Sequence, residues 1–457
     1  MVRVLIIISL LIIILMLGVN LTRAQQAPNA NPPNQINLAQ ADNPWRTEYV
    51  DRSINPPQQV GYFPSLALRT SDDLPYISYY NLTDGDLMVA YRFPSTSCGL
   101  NWTCDQVNEP EAVTGQNTSA DTWSDGELWK LGISYYDSSY RSLHMYLLSC
   151  DAFGCNSYYI TVDTPAIPAE HVGHYTSLKF NPAGTPMIVY HINNYTGPDS
   201  LMYAYPVTSG GNCGEGEYFN QWNCLTIDSG EGIGRYASLD LSWNLQPYVA
   251  YYDAVNGDLK LAAFVITGGN CGTGNQWVCT VIDGQDGTNV GAYASLKAPG
   301  WDGAPLRIAY YDGINHKLKF YNSLAGSPMF VDDMGINELY KGLSLDIDKD
   351  GLAVIAYKQL VDGPAQQVLR LARPYLAYND GSYGNCGDEV SGHLYWRCST
   401  LDSGSASTRV ADFASLAIDS HGLARIAYSE LDSEFNIISL KYTYQTSTTF
   451  LPLLVRH

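Results

Sequence analysis

The sequence predicts an all-β fold, a seven-bladed β-propeller built from four-stranded antiparallel blades. Three observations lead to this prediction: one motif recurs seven times, apolar and polar residues alternate within each copy, and the last copy lacks its fourth strand. Alternation bounded by turn residues is typical of β-strands. Repetition over a period of this length is typical of propellers and other repeat arrays.

The elements follow one order in each copy, seen most clearly in residues 236–264 and 293–321. A Ser-Leu run comes first, followed by a turn with Gly or Pro, a Tyr-rich apolar run, a second turn and an alternating run that starts with Leu. A fourth run follows in most copies, as in residues 222–228. Four short strands of this kind make one propeller blade. The copies align on the first Tyr of the second run, which is Tyr79, Tyr135, Tyr190, Tyr251, Tyr310, Tyr357 or Tyr428.

Ring closure is predicted from the two ends of the repeat region. The chain offers no fourth run after residues 440–443, whereas residues 45–51 are similar to residues 222–228 and precede the first copy. We expect this N-terminal strand to complete the seventh blade, which removes an open sheet edge. The second copy departs from the motif, and residues 127–131 occupy the place expected for its Ser-Leu strand.

Residues 1–24 predict a secretory signal peptide, because an apolar run follows Arg3 and ends near a small residue, Ala24. The run is short for an uncleaved membrane anchor. We therefore expect a secreted or cell-surface protein whose mature chain has no transmembrane span. The remaining predicted segments are a linker rich in Gln, Asn and Pro at residues 25–44, the propeller at residues 45–445 and a C-terminal tail at residues 446–457.

The chain is acidic, with 45 Asp and Glu residues against 25 Lys and Arg residues and a formal net charge of -20. Its basic residues are scattered, so nucleic acid is not expected as a partner. No phosphate-binding loop and no GxSxG nucleophile elbow is evident in the sequence. We expect a monomer whose partner is a glycan or a surface protein.

The ten cysteines form five close pairs, each at the same place in its repeat. None has CxxC spacing and none has a His at a recurring offset, so disulfides are favoured over zinc in an exported chain. Such bridges would hold the outer hairpin of a blade, where packing is weakest. The fifth and seventh blades lack a pair. The predicted pairs are Cys98 with Cys104, Cys150 with Cys155, Cys213 with Cys224, Cys271 with Cys279, and Cys386 with Cys398.

The repeated motif Tyr-x-Ser-Leu, Asp, Gly-x-Pro, Ile-x-Tyr-Tyr-Asp, Gly-Asp-Leu resembles the repeats of secreted bacterial propeller proteins with a sialidase-like fold. The resemblance covers about residues 45–444 and implies a six- or seven-bladed domain at the cell surface. It does not imply sialidase activity. The Asp-box of sialidases, Ser-x-Asp-x-Gly-x-Thr-Trp, has no copy in this sequence, and residues 124–129 are only distantly similar to it.

An aromatic residue stands shortly before the Ser-Leu pair in five copies. First strands line the axis of a propeller, so these side chains are candidates to border the central channel and to stack on a sugar. The alternative is that they pack between neighbouring blades as core, because repeated residues usually serve the repeat. The candidate ligand-binding residues are Tyr62, Tyr175, Tyr236, Tyr293 and Phe413.

One segment resembles the start of a calcium loop, with Asp346, Asp348 and Asp350 at alternate positions before a Gly. The twelfth position of that loop holds Tyr357 instead of Glu, and other copies have a plain hairpin turn at this place. A turn is therefore favoured over calcium, and no other cofactor is expected.

Two further groups of polar residues are weighed as sites. His171 and His174 stand near a strand start, but their spacing on a strand predicts opposite faces, which disfavours a shared metal. Asp137, Asp253 and Asp312 follow Tyr-Tyr pairs and are candidate acids or sugar ligands. Asp before a turn commonly caps the turn itself, and this is the alternative for all three.

The sequence favours a ligand-binding or interaction module with carbohydrate as its ligand, because the repeat is rich in Tyr and no catalytic residues can be assigned. A glycoside hydrolase or lyase of sialidase-like fold is the first alternative, and a hydrolase needs carboxyl groups close to the sugar. Arg235, Arg307 and Arg409 are candidates to hold an acidic sugar in that case. A structural envelope protein is the second alternative, and it predicts a channel filled by side chains.

Overall fold

The protein is represented by a computed structural model in which seven separate β-sheets follow one another around a ring. The predicted signal peptide, nearly all of the predicted linker and the tail from residue 447 lie outside the described residues. The structure describes residues 44–54, 56–93, 98–107, 113–215, 218–284, 287–335, 342–361, 366–375, 383–390, 392–405 and 407–446.

Each sheet is one blade, and the strands of blades one to four follow chain order from the channel to the rim. The first strand, β1 (Trp45–Asp51), belongs to the last blade. Blade one contains β2 (Tyr62–Leu68), β3 (Pro75–Asn81), β4 (Asp86–Arg92) and β5 (Trp102–Val107). Blade two contains β6 (Thr114–Ser124), β7 (Trp129–Asp137), β8 (Ser142–Asp151) and β9 (Gly154–Asp163). Blade three contains β10 (Glu170–Phe180), β11 (Pro186–Asn194), β12 (Asp199–Pro206) and β13 (Trp222–Gly230). Blade four contains β14 (Ile233–Leu241), β15 (Pro247–Asp253), β16 (Asp258–Phe264) and β17 (Trp277–Asp283), with a 3-10 turn at Thr273–Asn275.

Blades five to seven continue the same pattern, and blade six gains an extra outer strand. Blade five contains β18 (Val290–Lys297), β19 (Arg307–Asp312), β20 (Lys317–Asn322) and β21 (Met329–Asp333). Blade six contains β22 (Leu343–Ile347), β23 (Ala353–Val361), β24 (Gln366–Pro374), the outer strand β25 (Cys386–Val390) and β26 (His393–Ser403). Blade seven contains β27 (Thr408–Ile418), β28 (Ala424–Asp432) and β29 (Ile437–Gln445). Within the described part of the chain, no helix is both long and apolar enough to cross a membrane.

The seven blades and the closure of the ring confirm the prediction from sequence. β1 pairs antiparallel with β29, with Trp45 opposite Gln445 and Glu48 opposite Tyr442. The sheet of blade seven therefore has the order β1, β29, β28, β27, and its outermost strand comes from the beginning of the domain. Pairing β1 in this way covers the edge of β29.

The first strand of blade two is not the segment that the sequence suggested. It is β6, whereas residues 127–131 form the end of the following turn and the start of β7. The motif is obscured because Ala120 replaces the usual Leu after the serine. Blade two still makes the expected contacts: Ala120 N–H donates to Ser65 Oγ at 2.9 Å, and Leu178 N–H donates to Ser119 Oγ at 3.0 Å.

The serine of the Ser-Leu pair joins each blade to the next. Its hydroxyl oxygen accepts a hydrogen bond of 2.9–3.1 Å from the backbone N–H of the residue that follows the next blade's serine. The bond also crosses the closure, where Leu66 donates to Ser415. A buried N–H needs an acceptor, so the fold itself requires this serine. The seven serines are Ser65, Ser119, Ser177, Ser238, Ser295, Ser344 and Ser415.

The first Tyr of each Tyr-rich run is fully buried and reaches back to the preceding blade. Among the described residues its hydroxyl donates, in six blades, to a carboxylate at the end of the preceding blade's fourth strand, over 2.5–2.7 Å. Each bond therefore links two blades at a place where water is excluded. The pairs are Tyr79 with Asp51, Tyr190 with Asp163, Tyr251 with Asp228, Tyr310 with Asp283, Tyr357 with Asp332, and Tyr428 with Asp402.

All five predicted disulfides are present, and no described cysteine is free. Four of them tie a fourth strand to the segment just before it. The fifth, between Cys150 and Cys155, joins two directly opposed residues of the hairpin between β8 and β9. As predicted, blades five and seven have none.

Candidate functional site

Each blade brings one residue to the axis of the ring, within its first strand in six blades and just before that strand in blade six. In six blades the pairing of strands one and two shifts register just before the serine. The residue two positions before the serine has a φ of 49° to 75° in all seven blades. Left-handed backbone costs a non-glycine residue about 1–2 kcal/mol, so the surrounding sheet must hold it there. These residues, here named the axial ring, are Phe63, Asn117, Tyr175, Tyr236, Tyr293, Gly342 and Phe413.

The axial ring surrounds a cavity of about 500 Å³. All seven ring residues line it, together with their immediate neighbours, which include His174, Thr118 and Thr176. No carboxylate occurs among the lining residues that the structure describes. A cavity of this size is typical of small-molecule sites.

The aromatic members of the axial ring form two groups on opposite sides of the cavity. Tyr175, Tyr236 and Tyr293 come from consecutive blades, with successive ring centroids 4.6 Å and 4.1 Å apart. Phe413 and Phe63 are neighbours across the closure, with centroids 4.5 Å apart. The two positions between the groups are held by Asn117 and Gly342.

The three tyrosines also form a hydrogen-bonded chain, because Tyr236 is a partner of both Tyr175 and Tyr293. Burial, and after it the neighbouring Tyr236, raises the pKa of the Tyr175 and Tyr293 hydroxyls. Both phenols are therefore uncharged at neutral pH. They offer hydroxyl donors and acceptors at the edge of flat apolar rings.

Phe63, and not Tyr62, is the blade-one member of the axial ring. Tyr62 resembles the tyrosines of the other copies, but the correct alignment is the one counted from the serine. Tyr62 is half-buried outside the described cavity lining, with its ring centroid 6.2 Å from that of Phe413. The other four candidates, Tyr175, Tyr236, Tyr293 and Phe413, line the cavity and also pack against their neighbours.

His174 lies one position before Tyr175 and lines the cavity as well. The predicted separation of His171 and His174 onto opposite faces is wrong, because β10 shifts register on both sides of His174. Their rings stand 6.0 Å apart, and Tyr136 stacks on His174 at 4.2 Å while its hydroxyl lies 2.7 Å from His171 Nδ1. Burial, then the nearby His191 and His171, lowers the pKa of His174 to about 4. This imidazole is therefore neutral at physiological pH.

Among the residues that the structure describes, charged side chains occupy the same position as His174, three residues before the serine, in two other blades. Arg235 in blade four keeps 42% of its side chain exposed and lies 3.9 Å from Asp199. Asp412 in blade seven pairs with Lys358 over 2.7 Å. Together with His174, these groups add polar partners next to the aromatic ring.

A belt of alternating charge lies two positions after the serines. Lys297 Nζ is 2.9 Å from Asp346 Oδ1, and Lys179 Nζ is 3.7 Å from Asp121 Oδ1. Burial acts to lower the pKa of Lys297, but Asp346 and then Asp240 outweigh it, so the pKa is raised and the ammonium group stays charged. The belt, here named the charged belt, spans blades two to six and consists of Asp121, Lys179, Asp240, Lys297 and Asp346.

The candidate calcium ligands already have partners within the protein. Asp346 belongs to the charged belt, and its second oxygen accepts the Ile418 N–H at 2.8 Å. Asp348 accepts the N–H groups of Asp350 and Leu352 and so closes the turn between β22 and β23. The turn interpretation accounts for these contacts, and calcium binding at this segment stays a prediction.

The aspartates that follow the Tyr-Tyr pairs cap turns. Asp137 Oδ1 accepts the N–H groups of Ser139 and Tyr140 at 2.7 Å and 3.1 Å. Asp253 and Asp312 bind backbone N–H groups two or three residues further on in the same way. Their carboxylates are therefore used within their own hairpins.

The three arginines considered for an acidic sugar have separate surroundings. Arg235 stands beside the cavity-lining Tyr236, Arg307 donates to the Gly351 carbonyl at 2.8 Å, and Arg409 is exposed in β27. No cavity found in the described structure contains all three guanidinium groups.

No protein-family model matches the sequence, and no curated protein matches it. Solved structures with a similar arrangement include a protein of unknown function from Dyadobacter fermentans, at 10% identity over 88% of this chain and 98% of that chain, with a TM-score of 0.46. A fucose-specific lectin from Aleuria aurantia is similar at 12% identity over 78% of this chain and 96% of that chain, with a TM-score of 0.41. An arabinanase from Bacillus subtilis is similar at 10% identity over 72% of this chain and 92% of that chain, with a TM-score of 0.33. Similarity at this level says nothing about what this chain binds.

Proposed function

We propose that this protein is a carbohydrate-binding module whose ligand occupies the cavity inside the axial ring. The main support is the lining: five aromatic side chains surround about 500 Å³, with hydroxyl, amide and imidazole groups between and beside them. A sugar ring has an apolar C–H face that packs on an aromatic plane. Its hydroxyl groups need donors and acceptors at the edge of that plane, which is the combination found here.

Binding is favoured over hydrolysis by the chemistry of the lining. Most glycoside hydrolases place two carboxyl groups on either side of the scissile bond, and the described lining of this cavity has none. Asp412, next to the lining residue Phe413, is paired with Lys358. Asp199, near Arg235, accepts the backbone N–H groups of Asn194 and Gly232. A purely structural role would predict a channel filled by side chains, and a cavity of about 500 Å³ does not fit that prediction.

The proposed setting is the cell exterior. Five disulfides suit an oxidising compartment, and the apolar N-terminal sequence is typical of exported chains. The ligand would then be an extracellular or surface glycan.

Binding of the oxidised protein to a glycan array tests the proposal. Tyr236→Ala and Tyr293→Ala each remove part of the three-tyrosine group, and we expect either to weaken binding by about tenfold, equivalent to about 1.4 kcal/mol. Trp243→Ala is the matched control, because Trp243 is 54% exposed in the turn after β14 and lies outside the cavity. An array without bound glycans, or equal binding by both tyrosine variants and the wild type, would refute the proposal. Turnover of aryl glycosides would show that the hydrolase alternative is correct.

A further inference from the structure

Blade two is where the chain departs most from its own repeat. Residues 125–128 form the turn between β6 and β7, and Trp129 opens β7 where blades one, three and four have a proline. This turn forms one wall of a groove between blades one and two, with a volume of about 1180 Å³. The groove shares no described lining residue with the axial cavity, and it has more than twice the volume.

Aromatic side chains line the groove in two groups, one from blade one with Trp129 and one from the outer hairpin of blade two. Tyr76 stacks on Tyr91 with centroids 5.6 Å apart and meets Trp129 at 4.9 Å. Tyr146 and Tyr159 form a second pair, with centroids 5.6 Å apart and ring planes inclined at 54°. Tyr159 is 40% exposed, so its ring is open to a ligand. Tyr91, Trp129 and Tyr146 are partly exposed, whereas Tyr76 is buried at the base of the groove. A concave surface lined by aromatic side chains is typical of a ligand site.

An apolar cluster beneath the groove and a disulfide in its outer wall make the groove rigid. Val89, Val107 and Leu131 are buried beneath the aromatic side chains in one apolar cluster. The disulfide between Cys150 and Cys155 ties together the two strands of the hairpin that forms the outer wall. A fixed groove loses little conformational entropy when a ligand binds.

Both hydrogen-bond donors and acceptors stand between the aromatic rings. Arg69 lies 5.5 Å above the Trp129 ring and is fixed by Asp72, whose Oδ1 accepts its Nε–H at 2.8 Å. Asp105 accepts the Tyr91 hydroxyl at 2.9 Å and keeps further acceptor capacity. The remaining polar lining that is described is Gln106 and three further carboxylates, Asp125, Glu127 and Asp151. Asp125 and Asp151 accept backbone N–H groups of their own turns, and Glu127 is exposed.

The combination of aromatic rings, one guanidinium group and several carboxylates in the groove favours one class of ligand. The Arg69 guanidinium would repel a cation that lies over Trp129, and the four carboxylates of Asp105, Asp125, Glu127 and Asp151 would repel an anion. A neutral polyol carries apolar C–H faces that can pack on the aromatic rings. Its hydroxyl groups can donate hydrogen bonds to the carboxylates and accept them from Arg69. The volume exceeds the range of about 300–1,000 Å³ that is usual for small-molecule pockets, which favours a ligand of several sugar units.

We propose that the groove between blades one and two is a second carbohydrate site, which takes a neutral, unbranched oligosaccharide lying along the rim. The proposal rests on the proposed function for the ligand class, and it adds a separate location and a preference for chains over single sugars. The two sites differ in their residues, so substitutions affect one without touching the other.

Calorimetric titration of the oxidised, full-length protein with cellohexaose and xylohexaose, and with glucose and xylose, tests the proposal. We expect a hexasaccharide to bind at least about tenfold more tightly than its monosaccharide, and Trp129→Ala or Tyr159→Ala to remove that advantage. Trp129→Phe keeps a flat ring and should restore most of it. Glu127→Gln, at an exposed side chain that poses no risk to folding, should weaken hexasaccharide binding less than Trp129→Ala does. Trp243→Ala is again the control for an exposed tryptophan.

The outcomes separate this proposal from the proposed function. If Tyr236→Ala abolishes hexasaccharide binding while Trp129→Ala and Tyr159→Ala leave it unchanged, all binding is axial and the groove proposal alone fails. If tetra-arginine binds in a way that depends on Trp129 and the saccharides do not, the ligand class assigned to the groove is wrong. If none of these saccharides binds to the wild type, the groove proposal fails, and the proposed function fails as well only if the glycan array is also without bound glycans.

Discussion

The hydroxyl of Tyr190 in blade three donates a hydrogen bond of 2.5 Å to Oδ2 of Asp163, which ends the fourth strand of blade two. The tyrosine is fully buried. Burial raises the pKa of Asp163 to about 6, although the bond from Tyr190 acts in the opposite direction. A group that fastens two blades together is thus also a group that titrates near neutral pH.

The contribution of Asp163 to the free energy of unfolding should therefore fall as the pH rises from 4 to 6. In that window the folded protein holds a proton on Asp163 and the unfolded chain does not, so this group alone costs up to about 1.4 kcal/mol of stability per pH unit. Asp163→Asn keeps an acceptor for Tyr190 but cannot titrate, and we expect a flatter profile. Urea unfolding at pH 4 to 7 measures the difference between the two proteins. Profiles that run parallel would contradict the assignment.

Loss of one serine hydrogen bond between two neighbouring blades should measurably lower the free energy of unfolding. Ser238→Ala leaves the buried Leu296 N–H without the acceptor that now lies at 3.0 Å, which should cost about 1–3 kcal/mol. Ser209, in the exposed loop after β12, provides the control substitution Ser209→Ala. Urea unfolding of the three proteins gives the comparison. A Ser238→Ala variant as stable as the control would show that water replaces the serine.

Removal of a disulfide should destabilise the protein more when the loop that the disulfide closes is longer. In the chain-entropy model, the bridge across 11 residues from Cys213 to Cys224 contributes about 3 kcal/mol, and the bridge across 5 residues from Cys150 to Cys155 contributes about 2 kcal/mol. Double Cys→Ala variants of each pair, compared by urea unfolding without reductant, test this order. Mass spectrometry of the wild type should show no alkylatable thiol, and ten reactive thiols would contradict the bridged fold.

Loss of the N-terminal strand should open the ring. A chain that starts at residue 52 lacks β1, so the edge of β29 is exposed and the Tyr79 hydroxyl loses its partner Asp51. We expect self-association, detected by size-exclusion chromatography, because an unpaired edge recruits other strands. A synthetic peptide of residues 44–52 should restore the monomer. A truncated protein that stays monomeric and keeps its melting temperature would show that the closure is dispensable.

The sequence was sufficient for those features that recur in every copy. The blade count, the closing strand and the disulfides all follow from repetition, and the structure confirms them. The failures lie where the strand pairing shifts register. A bulge adds a residue and changes the face on which the following side chains lie, so the alternation that places side chains in a regular strand no longer holds.

This explains why Phe63 was missed in favour of Tyr62, and why His171 and His174 were assigned to opposite faces. Asn117 and Gly342 were missed for another reason, since neither is aromatic and their sole signal was a constant distance from the serine. The groove was not predictable at all, because its lining joins side chains from two blades that no pattern within one copy brings together.

Ring closure also fixes the order in which the fold can be completed. β1 is synthesised before every other described strand, and β29, its partner, is the last. Contacts this distant in sequence form late, so blade seven cannot be finished until β29 has been synthesised. Throughout that time the nascent chain carries a strand without a partner. The β29 strand of a second chain can capture it, and a domain-swapped dimer is the misfolded product that this topology favours.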